Sequence, residues 1–132
     1  MRSNREIVSD YMNAWNSGDL DKVMSFLAED CIYHNVPVPE VRGKQNILAA
    51  FVEFARHMTG IELIILNDAA TDDVVMNDRI DRFTLKNGKM LDLPVAGVFK
   101  LRDGKIVLHK DYFNYPTWKD ATGISLDMQD GT

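Results

Sequence analysis

A single cysteine, Cys31, in 132 residues leaves no intramolecular disulfide, no Cys-x-x-Cys redox motif and no cysteine-based zinc site. A reducing, cytoplasmic setting is expected. Long apolar runs are missing too: none approaches the ~20 residues of a membrane span, and Met1-Arg2-Ser3-Asn4-Arg5-Glu6 turns amphipathic at once, without the apolar stretch of a leader. The chain reads as soluble and unprocessed. Positive charge is in deficit, with 15 Lys+Arg against 20 Asp+Glu and a formal charge of −5, which argues against phosphate or anionic lipid as a partner. Gly-x-Ser-x-Gly, P-loop and Gly-x-Gly-x-x-Gly patterns are absent, which removes the common nucleophile and nucleotide readings. His34, His57 and His109 show no His-x-His or His-x3-His spacing, so no metal site is expected, and each reads as a core or surface residue.

What is present is an ordinary globular balance, 45% apolar and 27% charged, in a length suited to one domain with both a core and a lined pocket. The domain is expected over residues 1–122, with 123–132 a polar, frayed tail. Asn4 is placed to cap a helix whose apolar side is Ile7, Val8, Tyr11, Met12, Ala14 and Trp15, and Asn16-Ser17-Gly18 stops it. Asp19 caps a second helix, with Leu20, Val23, Met24, Phe26 and Leu27 on its apolar side. A short extended piece at 31–35 and a Val36-Pro37-Val38-Pro39 loop precede the longest helical pattern, 44–58. From Ile61 the spacing becomes that of strands, at 61–67, 74–85, 90–101 and 106–113. Helices followed by a meander predict an α+β fold. Beyond Asn114, Trp118 is a candidate anchor.

Reading Lys86-Asn87-Gly88 and Arg102-Asp103-Gly104 as three-residue loops gathers Val75, Arg79, Asp81, Phe83, Leu85, Leu91, Leu93, Val95, Phe99, Leu101, Val107, Asp111 and Phe113 on one sheet face. The other, mixed face holds Val74, Met76, Ile80, Met90, Val98, Ile106, Leu108 and Tyr112; it is too apolar to be wholly exposed, so an isologous homodimer is expected. With either loop length, Arg79 and Asp111 fall in one row, two strands or about 9.6 Å apart, within reach of an arginine. Asp81 shares that face, and Tyr33 and Asn35 share a face of the short first strand. A buried ion-pair network and a catalytic site are served equally by such charges. Two carboxylates around one guanidinium nevertheless leave a surplus negative charge, which apolar walls suppress by keeping a proton on one carboxyl, giving one acid and one base. Tyr33 and Asn35 either satisfy the proline loop or, beside a carboxylate, hold a water. Met12, Trp15, Phe54 and Met58 suit the core as well as a pocket wall.

Tyr33-His34-Asn35, Asn77-Asp78-Arg79-Ile80-Asp81-Arg82, Gly97-Val98-Phe99 and Lys110-Asp111-Tyr112-Phe113, in this order and spacing, resemble the limonene-1,2-epoxide hydrolase family. The similarity runs from the first helix to about Trp118, within the wider group of folds similar to nuclear transport factor 2, ketosteroid isomerase and the SnoaL-type cyclases. It implies a curved mixed sheet wrapped as a cone around the helices, a deep apolar pocket, and a cofactor-free, dimeric enzyme that adds water to an epoxide. It implies Asp111 as general base, Tyr33 and Asn35 as its helpers in holding the water, Asp81 as the acid for the epoxide oxygen, and Arg79 as the bridge. His109 and Lys110 depart from the bulky aromatic and arginine familiar at those places. Met12, Trp15, Leu27, Phe54, Met58, Leu63, Phe83, Leu93, Val95, Phe113 and Trp118 are then the expected wall, suited to a terpene-like or cycloalkene epoxide released as a vicinal diol. Two other readings stay open: an isomerase or cyclase of the ketosteroid isomerase or SnoaL type, and a non-catalytic small-molecule-binding module.

Overall fold

The computed structural model describes residues 2–127. Helix α1 (Asn4–Ser17) forms where Val8, Tyr11, Met12, Ala14 and Trp15 recur at three- and four-residue spacing, and all five are buried. Its cap is Ser3 rather than Asn4, because Ser3 Oγ accepts from the Glu6 backbone N–H while the Glu6 carboxylate accepts from the Ser3 N–H, a reciprocal pair. Helix α2 (Leu20–Ser25) starts on Asp19 as expected. Helix α3 (Lys44–Ala55) ends before Met58, which the sequence placed inside it; Met58 instead pairs with Leu85, so sheet hydrogen bonding overrides the apolar spacing there.

Six strands, β1 (Leu27–Asn35), β2 (Val41–Arg42), β3 (Met58–Thr71), β4 (Val74–Leu85), β5 (Met90–Arg102) and β6 (Lys105–Tyr112), form one curved sheet in the order β2-β1-β6-β5-β4-β3. Strands β3 to β6 make the antiparallel meander, and β1 joins β6 in parallel, so the sheet is mixed and the fold α+β. Helix α1 packs against β3, α3 against β1, and the core around Tyr11, Ile47, Phe51 and Phe99 lies between these helices and the sheet. Helix α4 (Tyr115–Thr122), capped by Asn114, places Trp118 in a second apolar cluster with Met58, Phe83, Leu93 and Val95.

The two hairpins differ. Leu85 and Lys89 close a three-residue loop around Gly88 (φ 87), as the sequence suggested. At the other, Arg102 pairs directly with Lys105, and Asp103 and Gly104 both have positive φ, which makes a two-residue turn rather than a three-residue loop. That turn sets Ile106 opposite Leu101, so that Ile106 and not Val107 faces inward, contrary to the sequence assignment of both, and the register then shifts between Lys100 and Leu101, which returns His109 and Asp111 to the inner face.

Gly123 to Asp127, read from the sequence as the start of a frayed tail, turn back on α4: Trp118 Nε1 donates to Ile124 O at 2.8 Å and the Leu126 N–H donates to Tyr115 Oη at 3.0 Å. Ile124 and Leu126 pack on the Trp118 cluster, which is the apolar contact that holds them. The rest of that tail lies outside the described residues.

Candidate functional site

The odd-numbered residues of β4 and β5, with His109 and Asp111 of β6, point into the sheet's concave side, and five of them there are polar: Asn77, Arg79, Asp81, His109 and Asp111, all buried. Sequence counting placed Arg79 and Asp111 in one row. The structure corrects this by one two-residue step, since the shift in β6 sets Asp111 opposite Gly97, Gly97 opposite Asn77, and Arg79 opposite Val95. On the far side of Asp111 comes Asn35, its partner in the parallel β1–β6 pair.

Arg79 still bridges, because its side chain folds back over the gap that Gly97 leaves. Nε donates to Asp81 Oδ1 at 2.7 Å, Nη1 to Asn77 Oδ1 at 3.0 Å, and Nη2 to Asp81 Oδ2 at 3.1 Å and Asp111 Oδ2 at 2.7 Å. A Cβ at position 97 would stand 2.4 Å from Arg79 Nη1 and 2.8 Å from Asn77 Oδ1, so only glycine leaves room for the guanidinium. Sequence reading had Asn77 and Gly97 within the resembling motifs but gave neither a role in the site.

Burial pushes both carboxyls toward the neutral form, and the two respond in opposite directions. For Asp81 burial outweighs the pull of Arg79, and its pKa is raised. For Asp111 burial is overcome by the charge of Arg79 and by hydrogen bonds with Arg79 and His109, which hold it well below the usual carboxylate range. The Asp111 Oδ1 atom is buried and has no hydrogen-bond partner among the described residues. Beside it Tyr33 Oη donates to Asn35 Oδ1 at 3.2 Å, and burial raises the Tyr33 pKa, so the phenol keeps its proton.

These groups line one cavity of about 670 Å³. All five residues assigned chemistry from the sequence border it, together with Trp15, Phe54, Leu63 and Phe83 of the expected wall. Leu93, Val95, Phe113 and Trp118 border a small adjoining recess instead. Met12, Leu27 and Met58 border neither and pack in the core. Phe51, Ile61, Val38, Pro39, Val41 and His109 are wall residues that the sequence reading did not assign. Phe51 was within reach of it, lying three residues before Phe54 on the apolar side of α3; His109 was set aside for lack of ligand spacing. Glu53, Arg56 and His57 give the cavity polar groups at positions where α3 ends, and Ile124 and Leu126 add apolar wall from the returning segment.

Comparison with known proteins adds an independent line. Residues 2–122 match the family model for the limonene-1,2-epoxide hydrolase catalytic domain. Epoxide hydrolase EphG of Mycobacterium tuberculosis (strain ATCC 25618 / H37Rv) is 30% identical over 107 residues, which are 81% of this chain and 70% of that protein. The solved structure of an M. tuberculosis LEH-like epoxide hydrolase is similar at TM-score 0.78 and 26% identity, over 90% of this chain and 88% of that one. An NTF2-like protein of unknown function from Burkholderia pseudomallei K96243 is similar at TM-score 0.83 and 19% identity, over 94% of this chain and 100% of that one, a likeness of fold alone.

Replacing Gly97 by alanine drives a methyl group into the guanidinium and separates it from its carboxylates. The expected cost is about 3 kcal/mol, read by thermal unfolding as a fall of roughly 10 °C in Tm. A Tm within about 2 °C of the unaltered protein would show that the guanidinium does not depend on this gap.

Proposed function

The chain belongs to the limonene-1,2-epoxide hydrolase family, and on that premise we propose that it hydrolyses a hydrophobic epoxide to a vicinal diol in one step. The observation that carries the reading is a guanidinium holding two carboxyls with oppositely displaced pKa values at the wall of a largely apolar cavity. Opening a strained ring needs a proton delivered to the departing oxygen while a water oxygen is made nucleophilic at the carbon. Asp81, kept protonated, donates to the ring oxygen as the carbon–oxygen bond breaks. Asp111, kept ionised, takes a proton from the water whose oxygen forms the new bond, with Oδ1 as acceptor and Tyr33 and Asn35 steering the water. One water is consumed. Asp111 ends protonated and Asp81 ionised, and a proton passed from the first to the second restores the starting state, with Arg79 holding both in place. The apolar walls, Trp15, Phe51, Phe54 and Phe83 among them, fit a terpene-like or cycloalkene ring better than a charged substrate. An isomerase of the ketosteroid type is poorly served by a guanidinium lodged between its two carboxyls.

Incubation with a panel of cyclic epoxides, with diol analysis, tests the activity; no diol from any of them would overturn it. The direct route is tested in a single turnover with enzyme in excess and ¹⁸O-water. The diol should carry the heavy oxygen at once, whereas an unlabelled first diol would mean that a carboxylate attacks carbon.

Asp81→Asn and Asp111→Asn should each lower kcat by about a thousandfold or more with the fold retained by circular dichroism. Asp81 works protonated and its pKa is raised, so kcat/KM should be flat in weak acid and fall about tenfold per unit as pH rises through that value. Asp111 works ionised and its pKa is lowered, so its acid limb should lie below the ordinary carboxylate range. A near-normal rate for folded Asp111→Asn, or a rate that rises with pH through the neutral region, contradicts these roles.

We also place a second copy of this chain on the outer sheet face, where Met76, Met90 and Tyr112 are 52%, 64% and 43% exposed. Light scattering at micromolar concentration should give twice the 15.0 kDa chain mass; a monomer at high concentration rules the dimer out.

A further inference from the structure

One buried group has no part in the reaction as written. His109 stands on β6 two residues before Asp111, 4% exposed, with Nε2 2.9 Å from Asp111 Oδ2 and Nδ1 2.8 Å from Tyr11 Oη. Its ring lies between Phe99 at 4.7 Å, Tyr33 at 5.0 Å and Tyr11 at 5.4 Å, so it is held on all sides. The titratable groups facing it are Tyr11 from α1, Tyr33 and Cys31 from β1, Asp111 on its own strand, and Arg79 and Asp81 from β4 across Asp111.

The direction of each hydrogen bond follows from what each group can do. An ionised carboxylate only accepts, so Nε2 carries a hydrogen toward Oδ2. Tyr11 is fully buried and its phenol keeps its proton, since burial raises its pKa. That proton needs an acceptor, and Nδ1 of a neutral ring is one. An imidazolium would present a second hydrogen at Nδ1 and leave the phenol proton to find another acceptor in an apolar wall. It would also add a positive charge beside Arg79.

We propose that His109, fixed by Tyr11 as the neutral Nε2–H tautomer, is a positioning residue for Asp111: it binds Oδ2 jointly with Arg79 and so turns the unpartnered Oδ1 toward the water. The proposal rests on Asp111 acting as the base. It adds two residues, Tyr11 and His109, to the working parts, and it gives the carboxylate two fixed donors on one oxygen and none on the other. A carboxylate free to rotate would share its basic lone pairs between both oxygens and lose alignment with the substrate carbon. The single proton left over by two carboxylates and one guanidinium then rests on Asp81, where the reaction needs it, and not on the imidazole.

The ring nitrogens of ¹⁵N-histidine-labelled protein test this without reference to turnover. At neutral pH His109 should show the shift pattern of a neutral Nε2–H ring, and Tyr11→Phe, which removes only the hydroxyl, should move it toward a tautomer mixture. An Nδ1–H pattern, an imidazolium pattern, or no change in Tyr11→Phe overturns the proposal. With an epoxide that the unaltered enzyme turns over, His109→Phe should lower kcat about tenfold or more with KM within about twofold, and His109→Gln, whose amide N–H can reach Oδ2, should recover part of the loss. Equal loss in both variants, or a loss confined to KM, speaks for packing alone and also overturns it. If no epoxide is turned over, the functional reading fails while the ring shifts still decide the geometry.

Discussion

A guanidinium with 1% of its side chain exposed is the constraint around which this site is arranged. Arginine does not give up its charge on burial, so every donor on it must find an acceptor inside the fold. Here four hydrogen bonds go to three residues, Asn77, Asp81 and Asp111, on two strands that are not neighbours. The strand between them must offer no side chain where the guanidinium lies, and Gly97 meets that requirement. Two carboxylates answer one cation, and the proton that offsets the surplus negative charge rests on the carboxyl whose ionised form the surroundings favour least. Asp81 takes side-chain hydrogen bonds from Arg79 alone, while Asp111 takes one from Arg79 and one from His109, and in the proposed reaction this difference separates acid from base.

Much of this arrangement was legible in the sequence as parity. Alternation put Arg79 and Asp81 on one face of β4 and Tyr33 and Asn35 on one face of β1, because side chains alternate with a period of two, and two turns of equal length bring Asp111 to the face of Arg79. Row assignment needed more, namely the lengths of two turns and the place of one irregularity. Asp103 and Gly104 close a two-residue turn, and the extra residue is taken up inside the strand near Val107, where the amino acids carry no mark of it. The shorter turn exchanged Ile106 for Val107 in the core, and turn and shift together moved Asp111 by a step against Arg79.

Contacts between distant segments were the least legible. The hydroxyl that meets His109 belongs to Tyr11, 98 residues away, and spacing rules for histidine look only along the chain. The same holds for the division of apolar residues between core and cavity. Met12 and Trp15 lie on one face of α1, yet Met12 packs wholly within the core while Trp15 reaches the cavity, and only the position of α3 over the sheet decides which. Ile124 and Leu126 did offer a signal, two apolar residues at strand spacing in a polar stretch, and the cluster around Trp118 is what they serve.

The opposed carboxyls also link the site to the stability of the fold. Asp111, with its pKa lowered, contributes stability that is present above the ordinary carboxylate value of about 3.9 and is lost as pH falls through its lower folded value. Asp81, with its pKa raised, does the reverse: its contribution is complete below about 3.9 and is lost as pH rises through the folded value. Between these limits the native state holds the proton on one carboxyl and not on the other, the distribution that the proposed ring opening uses. Ionising Asp81 removes the proposed acid and leaves a second negative charge in the apolar wall, so the proton that the proposed reaction uses also lowers the cost of burying the network. The fold is therefore least strained in the protonation state from which the proposed reaction starts, and each turnover by that route passes through the exchanged state, with Asp111 protonated and Asp81 ionised, which the surroundings disfavour. That preference drives the return of the proton.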